Sequence, residues 1–261
     1  MIGLALAVAS AASRAAVELE RLPARDAGQG VAVDRGHVYA VDNHSIARIR
    51  LADRREVARW SGDPALFPHI NSCTVDGATL LCAASNYPAT PMASRIERFD
   101  KLTLRHIGTW DLGDRAGSLT WIFRRKGAWW ACYANYDGKG GEPGRDHRAT
   151  VLARYDRAWH RTGRWRLPDD VLVRMAPRSA SGGAWGKGGL LYVTGHDRPE
   201  LYVLRVPHAG SVLEHVATVA TPTGGQAIAI DPRRPDRLWS VERKTHELVA
   251  SRLPPIEDEM R

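Results

Sequence analysis

The chain has 261 residues, 44% of them hydrophobic and 25% charged, a balance at which a globular protein can bury a sizeable core. Its formal net charge is +8, yet the arginines that supply it are scattered, many beside strand-like segments (Arg48, Arg50, Arg98 and Arg154). A nucleic-acid partner would want those charges in a run or on one face, so a solvated basic surface is the better reading and no nucleic-acid role is expected.

Residues 1–16 read MIGLALAVASAASRAA, an apolar stretch followed by small residues with Ala-x-Ala-like cleavage sites. They resemble a secretory signal peptide without the usual basic start, and they are too short to span a membrane. No other apolar run approaches membrane length. A periplasmic or secreted protein is expected, with residues 17–261 forming a single domain and a monomer.

After an isolated strand pattern at Val17–Leu22, four short patterns recur in one order. The first set is Gly30–Asp34, His37–Val41, Ile46–Ile49 and Val57–Trp60. Next come Ser72–Asp76, Leu80–Ala84, Ile96–Phe99 and Ile107–Trp110. The third set is Thr120–Phe123, Trp129–Tyr133, Leu152–Tyr155 and Thr162–Trp165, and the fourth is Gly182–Trp185, Leu191–Thr194, Leu201–Leu204 and Val216–Val219. The fifth has Ala227–Asp231, Arg237–Val241 and Leu248–Arg252 but no fourth member. Each pattern is β-branched or aromatic and bounded by Gly, Pro, Asp or Asn, as strands are, and no stretch sustains a helical period with caps. The missing strand is the one at the N-terminus. These features predict an all-β, five-bladed β-propeller of four-stranded antiparallel blades, in which Val17–Leu22 closes the last blade and removes an open sheet edge.

Cys73 and Cys82 flank the turn signal Asp76-Gly77 and come into register if Gly77 and Ala78 form the tip. A disulfide and two buried thiols both fit that placement. None of the cysteines has zinc-ligand spacing.

In such a blade the start of the innermost strand and the end of the second strand lie together around the mouth of the central channel, where a pocket forms. Before the innermost strands stand Gln29, Asn71, Leu119, Ser181 and Gln226; after the second strands stand Asn43, Asn86, Asn135, His196 and Arg243. Any one Asn there is explained by its liking for turns. The ring as a whole points to a polar ligand site. Two long connections, Asn86–Ser94 and Asn135–Arg148, overhang the same mouth, and the second carries Gly138, Gly140, Gly141 and Gly144 as a lid would. Its Gly-Lys-Gly-Gly run is not a phosphate loop, because no helix follows.

Histidine titrates in the useful range unaided, so His69, His147 and His196 are the candidate acids and bases, with Asp137, Asp146 and Glu242 as carboxylates. Tyr87, Tyr136 and Trp121 offer ring surfaces to a ligand. Amide oxygens of Asn43, Asn86 and Asn135 with one carboxylate would suit Ca²⁺, and His69 with His196 a transition metal, so a divalent metal is a possible cofactor. No nucleophile-elbow motif surrounds Ser118, Ser179 or Ser181.

Gln29–Asp34, Ser85-Asn-Tyr-Pro88, Gly117–Trp121, Tyr136–His147 and Gly195-His-Asp197 together resemble a family of small secreted bacterial β-propellers with a loose cycloisomerase-like label. That family is akin to lactonase and muconate-lactonising propellers. The resemblance implies a propeller with its site at the mouth. Related lactonases hold Ca²⁺ in an Asn-rich mouth; this chain departs from them in lacking a clear Glu ligand at the entry of the first blade.

The expected function is an exported enzyme acting on a small oxygen-rich cyclic compound (sugar, sugar acid or lactone) as a lyase, isomerase or lactonase. His69 and His196 would be acid and base, Asp137 and His147 further catalytic candidates. Gln29, Asn43, Asn71, Asn86, Tyr87, Asn135, Tyr136, Gln226 and Arg243 would bind substrate. The alternative is a non-catalytic propeller that binds a carbohydrate or peptide through the same ring.

Overall fold

A computed structural model describes residues 14–113 and 116–256; the leader-like segment expected at 1–16 lies, up to residue 13, outside the described residues. The chain opens with β1 (Val17–Pro23) and then makes β2 (Gly30–Val33), β3 (His37–Asp42), β4 (Ser45–Arg50) and β5 (Glu56–Ser61), the first blade. The second blade is β6 (His69–Asp76), β7 (Thr79–Ser85), β8 (Ser94–Asp100) and β9 (His106–Asp111). The third is β10 (Ser118–Arg125), β11 (Ala128–Ala134), β12 (Val151–Tyr155) and β13 (Arg161–Arg166). The fourth is β14 (Gly182–Trp185), β15 (Leu191–Thr194), β16 (Glu200–Arg205) and β17 (Glu214–Ala220). In the last blade β18 (Ile228–Asp231), β19 (Arg234–Glu242) and β20 (Glu247–Arg252) are joined by β1, which pairs antiparallel with β20. The N-terminal strand closes the ring, as the repeat required.

Burial follows distance from the axis. The innermost strand β2 is buried at every residue, whereas the outermost strands β9 and β13 alternate between half-buried and exposed positions. An inner strand is covered on both faces and so reads as a continuous apolar run; an outer strand shows the period of two. That period also divides each strand between two cores. Val31 and Val33 pack towards the last blade with Trp239 and Val241, while Ala32 between them joins Ile70, Cys73 and Leu80 of the second blade. Five such clusters fill the gaps between successive blades. One mutation in an inner strand therefore loosens one blade interface and leaves the other packed.

A seven-residue helix, α1 (Asp169–Met175), lies between β13 and β14, where the sequence showed no helical period. Its residues Val171, Leu172 and Met175 enter the core between the third and fourth blades. Two turns offer too few apolar positions to establish a period, and Pro168 at its start gives no side-chain cap. In the β6–β7 hairpin Asp76 pairs with Thr79, which leaves Gly77 and Ala78 as the tip. Gly77 takes φ +60°, a left-handed conformation that glycine adopts without steric penalty. Cys73 and Cys82 face each other in that register and are joined as a disulfide; Cys132 is free and buried. Among the described residues, no helix is long and apolar enough to cross a membrane.

Candidate functional site

At one end of the channel the connections before β2 and β18 and those after β3, β15 and β19 enclose a cavity of about 460 Å³. Its walls include Gln29, Asn43, His196, Gln226 and Arg243, all five from the ring read in the sequence, and the carboxylates of Asp42, Asp197 and Glu242. The volume falls within the roughly 300–1,000 Å³ of small-molecule sites. Two backbones meet tightly here: a Cβ on Gly225 would stand 2.2 Å from the Gly195 carbonyl oxygen, so the strand-entry loop of the last blade presses on the segment that presents His196. Gly28 likewise has no room for a side chain, because the Asp42 carboxylate packs against it.

His69, the first residue of β6, reaches across to the first blade. Its Nδ1 lies 2.5 Å from Asn43 Oδ1. An amide oxygen only accepts, so Nδ1 carries a proton, and Asn71 is a further side-chain hydrogen-bond partner of the ring. Asn43 is itself held: its backbone N–H donates to Asp42 Oδ1 at 2.8 Å and its carbonyl accepts from Ile70 N–H at 3.0 Å. Burial pushes the His69 imidazole down to about 4; Asn71 and Asp42 pull it up, while His44 and Arg243 push it further down. His69 stands behind Asn43 and is not itself among the residues that line the cavity.

His196 is held from both sides. Its Nδ1 lies 2.6 Å from Asp197 Oδ1, and its Nε2 is 3.0 Å from one Nη of Arg178 and 3.1 Å from one Nη of Arg243. A guanidinium only donates, so Nε2 is the acceptor of both and the imidazole proton sits on Nδ1, donated to Asp197. Burial lowers the His196 pKa; Asp197 opposes that, and the two guanidinium charges add to it. Arg178, which follows α1, carried no signal in the sequence beyond being one arginine among many.

From His69 a row of aromatic rings runs towards the third blade. His69 and Tyr87 rings lie 5.2 Å apart, and Tyr87 and Tyr136 5.3 Å apart. Burial raises the Tyr136 phenol above its usual range, so it stays protonated and able to donate. The two long connections touch each other: the Tyr87 ring packs on Gly140, where a Cβ would come within 2.3 Å, and the Met92 N–H donates to Glu142 Oε1.

The remaining expected residues are placed differently. Asn71, read as preceding its strand, lies inside β6 where the register shifts, and its Nδ2 donates to the Leu119 carbonyl at 2.7 Å. Leu119 likewise lies inside β10. Asn86 turns back on its own loop, giving Nδ2 to the Pro91 carbonyl at 3.0 Å and taking the Ala93 N–H at 2.8 Å. Asn135 is buried and donates to the carbonyls of Ala116 (2.9 Å) and Ala149 (3.2 Å). Asp137 and His147 pair with each other at 2.9 Å within the lid-like connection. Against the upward push of burial, hydrogen bonds from the His147 backbone and ring hold the Asp137 carboxyl below its usual range.

The amide oxygens of Asn43 and Asn86 each accept a hydrogen bond from the protein. Among the described residues, the His, Cys, Asp and Glu side chains with ligand atoms close enough for one cation are Asp137, Asp146 and His147, all in the long connection of the third blade.

The fold and this polar cleft define the class: a five-bladed β-propeller with a titratable, charged mouth. No family model matches the chain, and no curated protein matches it in sequence. Solved structures match it in shape. A luciferin-regenerating enzyme is similar over 94% of this chain and 96% of its own, with 10% identity and a TM-score of 0.57. The PQQ-bound aldose sugar dehydrogenase of Streptomyces coelicolor is similar over 94% of this chain and 83% of its own, with 13% identity and a TM-score of 0.56. Kuenenia stuttgartiensis hydrazine synthase is similar over 87% of this chain and 84% of its own, with 12% identity and a TM-score of 0.50. At such identities the likeness speaks for the fold alone.

Proposed function

We propose that the protein is an exported enzyme that acts on a small, oxygen-rich cyclic compound by proton transfer at the channel mouth. The observation that carries this reading is His69: a half-buried imidazole, uncharged at neutral pH, held through Nδ1 by Asn43 and by a side-chain hydrogen bond with Asn71. A group pushed down to about 4 stands wholly in its base form at neutral pH, as a weak base. That suits a lyase or isomerase step, in which one proton is taken and given back, and equally the activation of water against a lactone carbonyl. Tyr136, kept protonated by burial, serves as a donor to developing negative charge. His196 and Asp197 position Arg178 and Arg243. The similarity in fold to a luciferin-regenerating enzyme and an aldose sugar dehydrogenase supports a small-molecule enzyme. The Cys73–Cys82 disulfide supports export to an oxidising compartment.

The test is conversion, followed by NMR, of a panel of lactones, sugars and sugar acids by the wild type and by His69→Gln. Conversion by the wild type that falls by about 10²–10⁴ in a normally folded His69→Gln is the expected result, the range a general base contributes. A wild type that binds a panel member and converts none would sink the enzyme and leave a carbohydrate-binding propeller.

A further inference from the structure

Resting on the proposal that the mouth is the working site, we infer that its ligand is a hydroxylated monocarboxylic acid of sugar size, whose carboxylate is taken by Arg178 and Arg243. Two guanidinium groups converge on one neutral imidazole nitrogen and repel each other, with the Asp197 carboxylate, 3.8 Å from Arg178 Nε, offsetting part of that charge. Each guanidinium has five N–H donors in a planar fork, of which His196 accepts one, so donors remain free to face an oxyanion. Arg243 and His196 both line the cavity.

A second observation points the same way. Gln226 is 4% exposed and lines the cavity, yet its Nε2 has no hydrogen-bond partner. A buried amide donor without an acceptor is unfavourable, and a ligand oxygen in the cavity relieves it.

Charge sets the valence of the acid. The wall carries carboxylates at Asp42, Asp197 and Glu242 against Arg243 and Lys244, with Arg178 joined through His196. Three of each sign leave no net positive charge, so each negative charge a ligand brings counts against it, and a monocarboxylate held at the two arginines is penalised less than a phosphate dianion, which would also meet Asp42 and Glu242. Those two carboxylates, with Asn43 and Gln29, are acceptors and donors suited to hydroxyl groups.

Calorimetry on the full chain with D-galacturonate, D-gluconate, D-galactose and inorganic phosphate tests this. At least one sugar acid should bind at low salt, with D-galactose and phosphate bound at least tenfold more weakly. Arg178→Gln and Arg243→Gln should each weaken that acid by about tenfold or more, the loss of a charge-assisted contact. Arg243→Lys should recover only part, because the charge remains and the fork does not. Equal binding of galactose, unaffected by either arginine variant, would overturn the acid and leave the mouth reading standing. Phosphate preferred over both acids would overturn the monocarboxylate. No binding of any compound would overturn the acid and remove support for the mouth reading. Acid binding that both arginine variants leave unchanged would place it elsewhere and overturn the proposal.

Discussion

Three blades end their second strand in Asn at the same register, yet the first blade uses that Asn differently from the second and third. Asn43 stands before the short turn between β3 and β4, faces the cavity, and sets the tautomer of His69. Asn86 and Asn135 stand at the start of long connections, and each is drawn into tying down its own loop. The repeat fixes where the residue stands; the length of the following connection decides what its amide meets. On the short-turn side the post-strand residues Asn43, His196 and Arg243 converge on the cavity. On the long-loop side Tyr87 packs instead against His69 and Tyr136.

If that division is right, the largest effect falls on the short-turn side and on chemistry. His69→Gln should lower turnover of the enzyme's substrate by about 10²–10⁴ while the melting temperature changes little. A variant that lost stability in proportion to activity would move His69 to the structural side of the comparison.

The same residue predicts a pH effect on stability. The folded-state pKa of His69 is pushed down to about 4, from about 6.5 in an unfolded chain. Between those values the unfolded chain binds a proton that the native chain refuses. Stability that is fully present above pH 6.5 is therefore lost as pH falls towards 4, by about 3 kcal/mol if His69 acts alone. His196, also depressed by burial, adds in the same direction. Urea titrations at pH 7, 5.5 and 4.5 should show this decline in the wild type and a flatter one in His69→Gln. Identical slopes would mean that His69 is not the group concerned.

On the long-loop side the effects should be structural. Asn135→Ala takes a buried side chain away from the carbonyls of the half-buried Ala116 and Ala149, a loss of about 2 kcal/mol in urea unfolding. Ligand affinity should hold. Affinity lost without stability would return Asn135 to the ring of binding residues.

The fold was legible because a propeller repeats: strand patterns that are ambiguous singly become certain in five copies, and the missing fourth member located β1. Half of the candidate site was legible for the same reason, since register alone placed Gln29, Asn43, His196, Gln226 and Arg243 around one mouth. What failed to show were features outside the repeat. The helix α1 is too short to leave a period, and Arg178 beyond it approaches His196 only because that insertion carries the chain back to the mouth. Asn71 was misplaced by a shift in register inside β6, which no composition rule marks.

The smallest effect is the sharpest test of the comparison, because Asn86 is the residue whose two roles lie nearest together. Its side chain spans its own loop, bonding Pro91 and Ala93, and it is half-buried rather than buried. Water can replace part of what is lost, so Asn86→Ala should reduce stability by only about 1 kcal/mol. The loop it ties carries Tyr87, whose ring lies against both His69 and Gly140. Loosening that loop should raise the KM for substrate modestly and leave kcat nearly unchanged, because no Asn86 atom is free to follow the reacting charge. A fall in kcat at constant KM would mean instead that the Asn86 amide leaves its loop when substrate binds. The long-loop side would then share in the chemistry, and the division between the two halves of the mouth would be one of resting structure only.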